Sequence, residues 1–246
     1  MSVDDRAMRA YARKAVARCA AHARDLLESA RRLADEAPMR HLAYVLAVAA
    51  LEEIGKAELV KMAAARSDFD TVEEAGAWAS NRADDHVDKL FWALWGPTFG
   101  HETITGSQIA RDKETARLLH QARKDAAYVS LAMGAPTPRS TVTSAQARRM
   151  LELVEARLGL LGRPRFLKPP PEAEELVKWF TDLTDNPEGR AHAMSPTSMR
   201  KLAELGDAGE WMQCSGPRRK RRTGLPNRSW PRRRPGRRPP AYRNGG

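Results

Sequence analysis

The sequence predicts an all-α protein built on an antiparallel four-helix bundle, and three observations predict it. Apolar residues recur at helical spacing over long Ala-, Leu-, Arg- and Glu-rich stretches, no segment alternates with the period of a strand, and Pro or Gly falls between the stretches. Four helices joined by short connections occupy residues 1–135 and form the bundle. Residues 140–213 read as an accessory helical region, and residues 214–246 as a disordered Arg/Pro/Gly-rich tail.

The first helix is expected from Asp4 to about Glu36, free of Gly and Pro, with Leu26, Leu27 and Leu33 on its apolar stripe. Pro38 breaks it. The second runs from about Met39 to Ala65, and its first half, Leu42 to Leu51, is apolar all round, as a central buried helix requires. Asp70 with Glu73 resembles a capping box opening a third helix that continues to Trp95, before Gly96-Pro97. A polar loop follows. The fourth helix is expected from Gln108 to Met133, with Leu118, Leu119, Ala122, Ala126, Val129 and Met133 along it. Beyond Pro138, Ser144 can cap a helix to Leu161, Glu172 to Leu183 reads as a short helix, and Ser195-Pro196 opens another to Leu205.

Charge narrows the function. The 246 residues carry a net +11, but residues 217–246 hold 12 basic and no acidic residues, which leaves 30 basic against 31 acidic in the rest. A body of net −1 is not a basic nucleic-acid-binding domain. The two cysteines, Cys19 and Cys214, make neither a disulfide framework nor a zinc site. The longest uncharged apolar run, Leu42 to Leu51, is about half a membrane span. The charged N-terminus lacks a signal peptide's apolar stretch. A soluble, cytoplasmic protein with no membrane partner, metal or cofactor is expected.

Three stretches could carry chemistry. In Leu51-Glu52-Glu53-Ile54-Gly55-Lys56, Glu52 follows Val45, Val48 and Ala49, while Glu53 follows Leu46 and Ala50. Each extends an apolar stripe, so at least one should enter the bundle, where a carboxylate needs a cation or several donors. Lys56 stands four residues after Glu52, in the favourable order for an ion pair. Gly55 costs about 1 kcal/mol in a helix interior, which implies that something packs close to it. In Asp85-His86-Val87-Asp88-Lys89, His86 and Lys89 share a face and could hold a phosphate. In His120 to Val129, Arg123 shares an apolar face with Leu119, Ala126 and Ala127, and His120 joins it. Arg123 should therefore seek Glu52 or Glu53. Tyr128 lies roughly 140° further round the helix and could share a groove with Arg123 across a dimer axis. The same residues also read as a structural network with solvated faces.

This ordered set resembles the AbiV-type abortive-infection proteins, phage-defence members of the HEPN superfamily. The motifs fall within residues 15–132, and nothing after residue 140 takes part. The resemblance implies a HEPN-like bundle, commonly homodimeric, and for many HEPN proteins a metal-independent endoribonuclease activity that shuts down translation. Their motif is an Arg, a polar residue and then a His, with four to six residues between Arg and His. Arg123-Lys124 fills the first two positions, but Tyr128 stands where the His is expected. A phenol, with a reference pKa of about 10, is a poor base at neutral pH, so His86 or His120 would have to serve. The expected site is Arg123, Tyr128, Glu53, His86, Lys89 and Lys56. Expected RNA contacts are Lys124 and, in the tail, Arg218, Arg219, Lys220, Arg221 and Arg222. The tail, with Trp230 and Tyr242, could bind RNA by phosphate neutralisation and stacking; an Arg/Pro/Gly run also arises from a shifted frame in GC-rich DNA. RNA, a phage or host trigger protein and a second copy of the chain are the expected partners. A non-catalytic interaction protein is the alternative.

Overall fold

A computed structural model of the chain describes residues 3–65, 69–96, 106–161 and 195–205, and among these residues it is all-α with no strand. Helix α1 (Val3–Ala34) buries Met8, Ala12, Ala20, Ala23, Leu27 and Ala30, a stripe stepped by three and four residues. A 3-10 turn at Ala37–Met39, with Pro38 at its start, reverses the chain into α2 (Arg40–Ala65). As expected from its uninterrupted apolar half, α2 is the central element. Its Ala47, Val48, Leu51, Ile54, Ala57 and Leu59 are fully buried, and α1, α3, α4, α5 and α7 all pack on it.

The expected third helix is two helices, α3 (Val72–Ala83) and α4 (His86–Trp95). Asp85 divides them: its backbone is extended, and its Oδ1 accepts from the Val87 and Asp88 amides at 2.8 and 3.1 Å. A carboxylate that satisfies the first amides of the next turn favours a cap over helix interior. The capping box opening α3 also lies one residue later than expected. Thr71 Oγ1 accepts from the Glu74 amide at 3.2 Å, and Glu74 Oε2 accepts from the Thr71 amide at 3.3 Å. On α4, Phe91, Trp92 and Trp95 are buried against one another with ring centroids 5.1–6.0 Å apart, a core cluster rather than a stacking platform for bases.

Helix α5 (Gly106–Ala127) stops six residues short of the expected Met133. Among the described residues no helix covers Val129, Leu131 and Met133, which are exposed, while Ser130 Oγ accepts from the Ala132 amide at 3.3 Å. Local side-chain bonding of this kind competes with the helical ladder, and here no burial opposes it. After the short α6 (Pro138–Thr141) comes α7 (Ser144–Leu161), capped by Thr143 and Gln146 rather than by Ser144. Helix α7 packs on α1 and α2, and its Ala147, Met150, Val154 and Leu161 join the main core. Helix α8 (Pro196–Leu205) lies against α5, with Ser195 Oγ accepting from the Ser198 amide at 3.2 Å.

No described helix is long and apolar enough to cross a membrane. The expected helix from Glu172 to Leu183, Cys214 and the tail, with Arg218, Arg219, Lys220, Arg221 and Arg222, lie outside the described residues.

Candidate functional site

Of the two adjacent glutamates on α2, Glu52 is the one that enters the bundle between α4 and α5. Its position after Val45, Val48 and Ala49 puts it on the buried face, and its side chain is only 7% exposed. Burying a lone carboxylate costs several kcal/mol, so the fold has to supply cations. Two cations and an imidazole converge on it. His86 Nδ1 lies 2.8 Å and Lys89 Nζ 3.4 Å from Glu52 Oε2, and Arg123 Nη1 lies 3.2 Å from Oε1. The Arg123 contact is a charge contact without hydrogen-bond geometry.

The glycine that follows explains how α4 comes so near. A Cβ on Gly55 would sit 1.8 Å from the Lys89 carbonyl oxygen and 2.6 Å from its carbon. The α4 backbone therefore rests directly on α2 at this point, as the cost of a mid-helix glycine implied. One turn before Gly55 stands Glu52, and one turn before Lys89 stands His86. The close approach at one level thus brings these two side chains together at the next.

Histidine 120 completes the group from α5. Its ring stacks on that of His86, with centroids 5.5 Å apart and planes inclined by 18°. Burial, then the positive charge of Arg123, His86 and Lys124, holds its pKa below the ordinary value of 6.5, against a smaller opposing pull from Glu52. Its Nδ1 is buried and has no hydrogen-bond partner among the described residues.

The structure brings together His86, Lys89 and Arg123 from the expected set, but not the other three. Glu53 does not join them. It pairs with Lys56 at 2.5 Å on the side of α2 that faces α1. There both line a groove of about 420 Å³ with Ala15, Arg18, Cys19 and His22. Burial, then the charge of Glu53, pushes the Cys19 thiol up from its ordinary value. Tyr128 follows the last residue of α5 and is 68% exposed. Lys124 is exposed in the last turn of α5, near enough to affect His120.

Two further buried contacts escaped the sequence reading. Lys113 Nζ donates to Asp88 Oδ1 at 2.9 Å, linking α5 to α4. Lys61 Nζ donates to Glu58 Oε1 at 2.8 Å, and Arg157 of α7 also acts on Glu58. Burial raises the Glu58 and Asp112 carboxyls, each opposed by neighbouring cations. Their i,i+3 spacing could have flagged Lys61 and Glu58; nothing in the sequence pairs Asp88 with Lys113, which stand 25 residues apart. Among the described residues no group of three or more His, Cys, Asp or Glu side chains is placed to hold a metal ion.

The arrangement can do two things chemically. Two cations facing one carboxylate leave an excess of positive charge that suits a phosphate. Two imidazoles, those of His86 and His120, stand at its rim and can each carry or release a proton. The family model HEPN_AbiV, described as AbiV, matches residues 11–159. That match runs past residue 140 and takes in α7, beyond the span of the motifs. No curated protein and no solved structure matches the chain.

Proposed function

The chain belongs to the AbiV family of HEPN proteins, and from that premise we propose that it is an abortive-infection effector acting on RNA through the cluster around Glu52. The observation that carries this reading is the convergence of His86, Lys89 and Arg123, from two helices, on one buried carboxylate. Arg123, 18% exposed, is the cation that meets the RNA phosphate, and Lys89 deepens the positive field behind it. Glu52 fixes both in place. A carboxylate only accepts, so Glu52 holds the hydrogen on His86 Nδ1 and leaves Nε2 for a second partner. Cleavage of RNA would shut down translation in the infected cell. A homodimer and a phage or host trigger protein are the partners this function calls for.

The outcome expected for Arg123→Ala is loss of toxicity in infected cells with helix content and thermal midpoint retained. An unfolded or fully toxic variant would remove Arg123 from the site.

One observation favours a second reading, a non-catalytic interaction protein whose cluster only fixes the bundle. Lys89 and Glu52 are 8% and 7% exposed, the burial of a structural ion pair. RNA cleavage in the presence of EDTA separates the two.

A further inference from the structure

The family pattern places a histidine after the arginine, and this chain has Tyr128 there, exposed beyond the end of α5. The acid–base groups therefore come from elsewhere. We infer that His120 and His86 take that role, His120 accepting the proton of a ribose 2′-hydroxyl and His86 donating one to the departing 5′-oxygen, at a phosphate held by Arg123 with Lys89 behind it. This rests on the RNA-directed reading above and names the residues that would perform it.

Geometry carries the assignment. The two rings, one from α4 and one from α5, are stacked and nearly parallel, so they stand side by side at the Glu52 cluster. On His86, Glu52 occupies Nδ1 at 2.8 Å, so proton exchange runs through Nε2. On His120, Nδ1 is buried, and exchange again runs through Nε2. Arg123 stands one helical turn after His120 on the same face of α5, and Lys89 one turn after His86 on α4. Each helix thus contributes one imidazole and one cation.

The proton balance closes without a co-reactant. The step requires His120 to start neutral and His86 to start with a proton on Nε2. The 2′-oxygen bonds to phosphorus as its proton passes to His120, and the P–O5′ bond breaks as the His86 proton passes to the 5′-oxygen. A 2′,3′-cyclic phosphate and a 5′-hydroxyl result. The charged groups facing the pair are Arg123 and Lys124 of α5, Lys89 of α4 and Glu52 of α2. Burial and the cations among these hold His120 below 6.5, which keeps it an unprotonated base through the neutral range.

The test combines ring-proton NMR of the full chain with cleavage of a short RNA. Inorganic phosphate is expected to move the His86 and His120 resonances together, with one saturation curve that weakens in Arg123→Gln. In the phosphate-free protein His120 titrates below pH 6.5. The His120→Gln variant is expected to lose about 100-fold or more of the cleavage rate, with its phosphate affinity and thermal midpoint kept. The acidic limb of the pH profile that belongs to His120 disappears with it. Rings that ignore phosphate would overturn the proposal without any variant. A cleaving wild-type chain with an equally active His120→Gln variant would overturn the histidine assignment alone. A wild-type chain that cleaves no RNA would sink the nuclease reading itself.

Discussion

At the residue scale, the decisive feature is the choice between two adjacent glutamates. Glu52 and Glu53 each extend an apolar stripe, and periodicity alone does not choose between them. The choice depends on where α4 and α5 lie around α2, which is tertiary information. Glu52→Gln keeps the size of the side chain but leaves Lys89 and Arg123 without their counter-charge. The expected cost is about 2–4 kcal/mol in urea unfolding, below the full cost of breaking a buried pair because His86 and Arg123 retain some solvent. A change within ~0.5 kcal/mol, the range of neutral surface substitutions, would mean that Glu52 organises nothing. The contribution of His120 to stability has the opposite sign to that of a histidine stabilised by a salt bridge. Its folded pKa is lowered, so the unfolded chain binds more protons in the window below 6.5. Its contribution is present above 6.5 and is lost as pH falls through the folded value. The buried carboxyls of Glu58 and Asp112, raised in the folded state, act the other way. Comparing the acid side of the stability curve in the wild type and in His120→Gln isolates the histidine, and the variant's curve should fall less steeply there.

At the element scale, the close contact of α2 with α4 positions the site. Gly55→Ala places a methyl group where the Lys89 carbonyl stands, and backbone cannot yield as a flexible side chain can. The variant should lose about 3 kcal/mol or more of stability, with toxicity lost as His86 and Lys89 move away from Glu52. Gly159 in α7 provides the control, because nothing lies within 4 Å of its added Cβ. There Gly159→Ala should stabilise by about 0.5–1 kcal/mol. Equal effects at the two positions in thermal unfolding would show that Gly55 is not held against the α4 backbone. The glycine and its close neighbour were legible in the sequence, since a mid-helix glycine needs a reason; which neighbour it was, was not. The break at Asp85 was harder to see. The stretch from Asp70 to Trp95 contains no Pro, its one Gly (Gly76) stands well before the break, and a capping aspartate looks like any charged helical residue until its backbone turns extended. The early end of α5 was hidden for the converse reason. Val129 and Met133 continue the helical pattern, but the pattern predicts burial only where another element arrives to provide it.

At the scale of the whole molecule, the all-α class followed from periodicity and punctuation, and the central place of α2 from its unbroken apolar half. The role of α7 was less legible. Pro136 and Pro138 suggest a boundary, yet α7 packs on α1 and α2 and lies inside the family match. The charge of +11 has little to do with this core, since residues 1–216 sum to −1. Any broad, salt-sensitive attraction for RNA belongs to residues 217–246. A chain ending at Gly216 should keep its thermal midpoint and its toxicity while losing the steep salt dependence of RNA binding. Loss of toxicity in that chain would move function into the tail. The proposed metal-free cleavage of RNA by the cluster around Glu52 is tested by incubating purified protein with total cellular RNA and EDTA. Discrete cleavage that survives chelation and vanishes in Arg123→Ala is the expected result. Intact RNA with the wild-type chain, or equal cleavage by the variant, would overturn the proposal.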